Sequence, residues 1–467
     1  MNSGFTEEIC TPTSPESDKI TVEDFVAYVP AHSYLFIPCR EPWIGSGVDA
    51  RVPPIPVLKK NGQPKVVNGK PVLIKATKWL DRNRPIEQLT WCPGEPMLIA
   101  DRLVVDGGWI ERKGVTCFNL YRPPCLKLGN ANEAEPWLKH VHKVYEADDA
   151  RHCIHWFAHR VQHPQQKINH GLVLGGPQGI GKDSMLEPVK NAIGAWNFHD
   201  ISPTHLLESF NSFAKSVILR VNEARDLGEI NRFSFYDRTK IYTAAPPDVL
   251  RINEKYLREY YVFNVVGFII TTNHKTDGIY LPADDRRHYV AWSERTKDDF
   301  EPGYWNDLWS WYRQGGFGHV AAYLSELDIS GFDPNAPPPK TPAFWDIVGA
   351  SSAPEDAALA DVIDAAGNPQ AITPKQLIAV AAKEPKLVEI AEWLMDRRNR
   401  RALPHRMERC GYSSIRNKNA ADGYWLIDGT RQPVYVKNAL SEDKKWNAAS
   451  ALMKQHSEGA DGNDENG

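Results

Sequence analysis

Gly171-Leu-Val-Leu-Gly-Gly-Pro-Gln-Gly-Ile-Gly-Lys-Asp-Ser184 is an apolar run that empties into glycines and a lysine, followed by a helical pattern from Met185 to Ile193. Residues 171–175 read as a buried strand, and Gly176 to Lys182 has the form G-x-x-x-x-G-K. Glycines let the backbone turn its N–H groups toward a phosphate. The following helix N-terminus adds positive potential, and the lysine reaches the outer phosphate oxygens. A glycine-rich strand-to-helix join can also be a plain turn, but strand, lysine and helix in this order favour a phosphate loop. Its expected binding set is Gly176, Pro177, Gln178, Gly179, Ile180, Gly181, Lys182, Asp183 and Ser184. Asp183 stands where such loops usually carry Ser or Thr for Mg²⁺, and Ser184 follows one place later. Either could reach the metal.

From about 169 to 330, apolar strands alternate with helical patterns, the signature of an α/β fold with a parallel sheet. The strand Ser216-Val-Ile-Leu-Arg-Val-Asn-Glu223 ends in an acid. Glu223 is the candidate general base, and Asn222 takes a position where many such motors carry a metal-binding Asp. Both are candidate metal-site residues. Gly267-Phe-Ile-Ile-Thr-Thr-Asn273 is a third strand, and Asn273 could orient water or feel the γ-phosphate. Asp284-Asp285-Arg286-Arg287 follows. Arg286 and Arg287 suit the charge on a transferring phosphoryl group, in cis or from a neighbouring subunit. Elsewhere such a pair is an ordinary salt-bridged surface.

The order of these motifs resembles the superfamily 3 helicases, in particular the phage and plasmid primase–helicase group with AAA+-type P-loop NTPase motors. The match rests on Gly176–Ser184 as Walker A and Val217–Glu223 as Walker B. Lys240 with Ala244-Ala-Pro-Pro-Asp248, Phe268–Asn273 as sensor 1, and Arg286/Arg287 as the arginine-finger region complete it. The Gly-Lys-Asp-Ser form is itself similar to the phage branch. The resemblance implies ATP and Mg²⁺ as ligands, and a homo-oligomeric ring, a hexamer in that group, pulling single-stranded DNA through its pore. It also implies a pore hairpin between Walker B and sensor 1. Lys255 falls in that interval, with Tyr256 as a stacking platform; the bland reading of Lys255 is an exposed loop lysine. Residues 1–130 show no clear set of paired metal-binding carboxylates, so primase activity is not assigned.

Around this core the sequence reads as a disordered tail 1–20, a β-rich region 21–130, a helical collar 131–168, the motor 169–330 and a Pro-rich linker 331–345. A winged-helix-like domain 346–440 and a helix end with an acidic tail 441–467 follow. Asn61-Gly62 and Asn68-Gly69 are hairpin-turn signals inside 59–78, which holds six lysines and no acid. That segment is a solvated hairpin or a nucleic-acid contact. His152, His155, His159 and His163 fall on one helical stripe of about 16 Å, too long for one ion. They are expected as a polar or partner-facing surface. In the last domain, Thr373-Pro374-Lys375-Gln376 is a capping box that starts a helix. A second helix carries Leu387 to Leu394, Pro404 opens a third, and Asp428-Gly429 turns a hairpin.

Composition bounds the rest. The chain has 467 residues, 42% hydrophobic and 24% charged, with seven scattered cysteines and no C-x-x-C pair. That suits several buried cores in a reducing compartment rather than a disulfide scaffold. No run approaches the ~18 apolar residues of a membrane span, and the first thirty residues lack a secretory pattern. The expected setting is therefore cytoplasmic, with no membrane partner, and the resemblance to the phage and plasmid group implies a bacterial host cell. The net charge of −4 argues against nucleic acid until it is counted locally. Segments 59–78 and 396–418 each carry +6, so the remainder stands at −16. Within 396–418, Arg400 and Arg401 are expected to end the second helix, while His405, Arg406 and Arg409 lie on the third. These are the candidate DNA contacts, although a basic face against a neighbouring subunit would look the same. The expected function is an ATP-dependent DNA helicase or translocase of phage, prophage or plasmid replication. Its partners would be DNA, copies of itself and replication proteins. The alternative is an ATP-switched origin-recognition or regulatory DNA-binding protein without unwinding activity.

Overall fold

The computed structural model describes residues 19–222, 232–244, 247–255, 257–275, 279–350, 354–401 and 403–457. It divides into two compact units, 1–351 and 352–467.

The first unit is built on a five-stranded sheet in which every neighbouring pair is parallel. Its order is Phe198–Ile201, Ile218–Val221, Gly267–Thr272, Gly171–Gly175, His288–Trp292. The strand Gly171–Gly175 thus lies between the last two strands in chain order and is buried along its whole length. A strand covered on both faces needs a continuous apolar run rather than an alternating one, which is what Leu172, Val173 and Leu174 supply. Its flanking glycines leave room for neighbours. A Cβ on Gly175 would lie 2.0 Å from the Trp292 ring, and one on Gly171 would lie 2.7 Å from the Phe268 carbonyl oxygen. Helices Glu135–Val144 and Ala147–Gln162 pack their apolar faces into the same core.

Ahead of them lie a four-stranded and a three-stranded sheet. In the strand Phe25–Tyr28, Val26 and Tyr28 join the large core, while Phe25 and Ala27 join a smaller one with Val48 and Leu80. The period of two sends alternate side chains to opposite faces, so all four residues are buried. The lysine-rich segment forms a hairpin, with Val66–Val67 pairing Lys70–Pro71. Asn68 and Gly69 both have positive φ (52° and 76°), the conformation that favours Asn-Gly in two-residue turns. All six lysines are exposed.

Two expectations about the first unit need correction. The histidine stripe is not a polar surface throughout. His159 is buried against Phe332, and His152 stacks on Tyr289 with ring centroids 3.7 Å apart, its Nε2 3.0 Å from His170 Nε2. Residues far along the chain cover this face, which helical spacing alone cannot reveal. Among the described residues, no group of three or more His, Cys, Asp or Glu could hold a metal. The Pro-rich stretch does not act as a free linker. Asn169 N–H donates to the Pro334 carbonyl (2.8 Å), and Thr341 Oγ1 donates to that of Val290 (2.7 Å). It therefore lies along the first unit, and the helix Pro342–Ala350 that follows adds Phe344 and Ile347 to the core.

The second unit contains helices Pro354–Ala365, Pro374–Ala381, Val388–Met395 and Leu403–Arg409. Its antiparallel sheet has the order Ala371–Ile372, Val434–Lys437, Tyr412–Ile415. Thr373 and Gln376 form the reciprocal capping box. Asp428-Gly429 turns the hairpin between Trp425–Ile427 and Thr430–Gln432. Residues 442–457 are a 16-residue helix, not a helix end. Its fully buried Ala449 and half-buried Trp446 close a core over Trp425 and Ile427. Arg400 and Arg401 belong to a separate 3₁₀ turn, Arg397–Arg401, because the second helix stops at Asp396, whose ψ of 121° is extended.

Candidate active site

The phosphate loop leaves the sheet at the carboxyl end of Gly171–Gly175, where ligands of open parallel sheets bind. Gly176, Gly179 and Gly181 all have positive φ (136°, 84° and 90°). Gly181 is confined as well as left-handed: a Cβ there would lie 2.5 Å from His140 and 2.6 Å from Trp305. The helix Lys182–Ala192 begins at once, so its first N–H groups face the same cleft as the loop.

Lys182 is buried. Its ammonium donates to the carbonyls of Gly176 (2.6 Å) and Pro177 (3.0 Å) and to Asn273 Oδ1 (2.8 Å). Burial lowers its pKa to about 8. Asn273 directly follows the neighbouring strand Gly267–Thr272, so two motifs 91 residues apart meet through one hydrogen bond. Asn222, directly after the next strand over, accepts from Thr271 Oγ1 (2.9 Å). Glu223 lies outside the described residues. A cleft of ≈ 400 Å³ opens here, lined by Gln178 to Ser184 (except Ile180), Asn222, Thr271 to Asn273, Trp305 and Trp309.

Four residues of this site were missed in the sequence. Arg220 is buried in the strand Ile218–Val221 and bridges Asp183 and Asp200 with its guanidinium. A lone arginine inside an apolar strand was the available signal. Asp183 is thus an ion-pair partner as well as a loop residue. His140 sits under the loop, its Nε2 3.0 Å from the Gly181 carbonyl and its Nδ1 2.9 Å from the Tyr304 hydroxyl. Burial lowers its pKa to about 4, so the ring is neutral near pH 7. The carbonyl can only accept, which assigns the proton to Nε2 and lets Nδ1 accept from Tyr304. Trp305 and Trp309 come from the aromatic-dense helix Tyr304–Trp311.

Arg286 and Arg287 are not brought to Lys182. They precede the strand His288–Trp292, where His288 pairs with Gly171 and Trp292 with Gly175. About 16 Å of strand therefore separates them from the loop, and the in cis alternative falls. Arg286 is exposed. The turn itself is built rigidly by buried Asp285. Its Oδ1 accepts from the backbone N–H groups of Arg287 (2.9 Å) and His288 (3.0 Å), and its Oδ2 accepts from the Tyr236 hydroxyl (2.7 Å). Burial alone would raise this carboxyl, yet His288 and these donors hold it well below the usual carboxylate range.

Lys255 is exposed in the loop of an antiparallel hairpin, Val249–Ile252 with Tyr260–Phe263; Tyr256 lies outside the described residues. In the second unit, His405 and Arg400 are exposed. Arg406 and Arg409 each pair with buried Asp356 at 2.7 Å, so part of the local positive count is answered by an acid 50 and 53 residues upstream of them.

A sequence profile of a family of unknown function, DUF5906, matches residues 174–287, from the end of the phosphate-loop strand to Arg287. No curated protein matches the sequence. The chain is similar to the apo structure of the NrS-1 C terminal region, with a TM-score of 0.54 at 15% identity over 88% of this chain and 95% of that one. A second, A form apo structure of the same region gives 0.51 at 15% identity over 88% and 96%. The X-ray structure of JCV Helicase overlaps at 0.28 with 11% identity over 50% of this chain and 65% of that one, too low to indicate a shared fold. The chain therefore shares the fold of the NrS-1 C terminal region.

Proposed function

We propose that the chain is an ATP-driven helicase or translocase of phage, prophage or plasmid DNA replication, acting as a homo-oligomeric ring with an AAA+-type motor and a winged-helix-like module. The observation that carries this reading is the Lys182–Asn273 hydrogen bond across a cleft floored by a left-handed glycine loop and a helix N-terminus. A triphosphate fits that cradle: its oxygens can replace the carbonyls and the amide oxygen that hold the lysine. Mg²⁺ arriving with the nucleotide would neutralise charge on the outer phosphates. Ser184, Asn222 and the Asp183 carboxylate are the hard oxygen donors lining the cleft.

On this reading Lys182 holds the phosphates and Glu223 draws a proton from the attacking water. Asn273 reports the γ-phosphate to its strand. Arg286 or Arg287 enters the cleft of a neighbouring copy, because its own cleft is at the other end of the sheet. Lys255 contacts the strand of DNA. Replacing Lys182 by Ala should cut ATP turnover by at least ~100-fold, and turnover surviving in that variant would sink the assignment. A forked-duplex displacement assay, run beside ATPase with and without single-stranded DNA, separates a motor from a switch. DNA-stimulated turnover with displacement supports the motor; slow, DNA-indifferent turnover supports an origin-recognition role.

A further inference from the structure

A second cavity, of ≈ 630 Å³, opens where the β-rich region meets the hairpin that carries Lys255. Two buried polar atoms on its wall have no hydrogen-bond partner, and they are of opposite kind: the donor Lys167 Nζ and the acceptor Asn264 Oδ1. The Asn264 amide cannot be turned over to hide its oxygen, because its Nδ2 donates to the carbonyls of Ile241 and Pro247, both at 2.8 Å. The loop that carries Lys167 is equally fixed. Fully buried Arg160 donates to the carbonyls of Pro164 (2.8 Å) and Gln166. Burial lowers the Lys167 pKa to about 7, with Asp248 opposing the shift. The other acid on the wall, Glu95, is already matched by Arg102 at 2.6 Å and 3.1 Å. The apolar wall is Trp109 against Phe263, with ring centroids 5.3 Å apart, and Phe263 ends the second strand of the hairpin.

A buried ammonium without an acceptor destabilises a fold, so its presence in a preformed cavity calls for a ligand. That ligand must offer an anion to Lys167 and a hydrogen-bond donor to Asn264, with a flat apolar body between them. We propose that this cavity binds a nucleoside monophosphate unit, its phosphate on Lys167 and the donor edge of its base on Asn264. The volume lies within the range of small-molecule sites. The unit is either a free nucleotide or one residue of a single strand, and the strand form rests on the function proposed above.

The test measures binding of thymidine monophosphate and of a short oligothymidylate to the full chain. The variants are Lys167→Met, Gln165→Glu on the exposed rim, and Lys182→Ala. Lys167→Met should weaken monophosphate binding at least tenfold while raising the melting temperature, since it removes an unpartnered charge. Gln165→Glu, which cannot disturb the core, should weaken it several-fold by repelling the phosphate. Lys182→Ala should leave it intact. Binding lost in Lys182→Ala but kept in both cavity variants overturns the proposal and leaves the motor standing. If the monophosphate binds in a Lys167-dependent way while the oligonucleotide neither binds nor stimulates ATPase, the cavity stands and the helicase reading falls. A bromodeoxyuridine-substituted oligonucleotide that cross-links to the Trp109 or Phe263 peptide supports the strand form; cross-links elsewhere only, with unchanged affinity in Lys167→Met, overturn it.

Discussion

Asp183 is the residue at which this phosphate loop departs from the common pattern, and Arg220 is what it meets. The guanidinium is buried while the Asp183 carboxylate is largely exposed, so the pair tethers an exposed acid rather than closing a core ion pair. Arg220→Met should release Asp183 and Asp200 into solvent at a modest loss of about 1–3 kcal/mol. The informative readout is the Mg²⁺ dependence of ATP turnover. A freed carboxylate beside the cleft should lower the half-saturating Mg²⁺ concentration several-fold; an unchanged Mg²⁺ curve would mean that Asp183 serves only the ion pair. The loop was legible because its chemistry is local: three glycines, a lysine and a helix start within a few residues. Arg220's partners were not legible, because Asp200 and Asp183 lie on two other elements that only the sheet order brings alongside. That Arg286 and Arg287 lie at the opposite end of the sheet from their own phosphate loop was likewise hidden until strand direction was known.

At the scale of elements, helix Ala147–Gln162 shows the limit of a wheel argument. Its apolar face was readable from Ile154, Phe157, Ala158 and Val161. Its other face was misread because the covering strand and the Phe332 stretch come from over 120 residues away. The Asn68-Gly69 turn and the Thr373 capping box were readable because both are decided by backbone conformation within four residues. Burying histidines has a consequence in solution. Burial lowers His140 and His152 to about 4, and His159 and His170 to about 3, from an ordinary 6.5. The unfolded chain therefore takes up protons below pH 6.5 that the folded chain refuses. Stability from these groups is complete above that pH and falls as the pH drops toward 4. With up to four histidines involved, the slope should approach ~1.4 kcal/mol per pH unit for each. Urea midpoints measured from pH 7.5 to 4.5 should decline across this window, and His159→Phe, which fills the site beside Phe332 without a titrating ring, should flatten the decline. An equally steep curve in that variant would mean that His159 does not contribute.

For the whole molecule, the charge pattern separates two kinds of arginine within one basic segment. Arg406 and Arg409 hold Asp356, whose side chain is 6% exposed, so their charge is spent inside the second unit. Arg400 is exposed on the turn Arg397–Arg401 and is available to a phosphate. Arg406→Gln should therefore act through stability, since it weakens the answer to a buried carboxylate, at a loss of about 3 kcal/mol. Asp356→Asn should soften that loss when the two are combined, because the uncompensated charge is gone. Arg400→Gln should leave the melting temperature within a degree or so, yet reduce the dependence of log affinity for single-stranded DNA on log salt by ~0.7, the share of one neutralised phosphate. Measuring both variants across a salt series sorts the segment. If Arg400→Gln leaves the slope unchanged while DNA still binds, the +6 segment is a surface for another protein subunit, and the DNA contacts belong to the hairpin of Lys255 and the exposed lysines of 59–78.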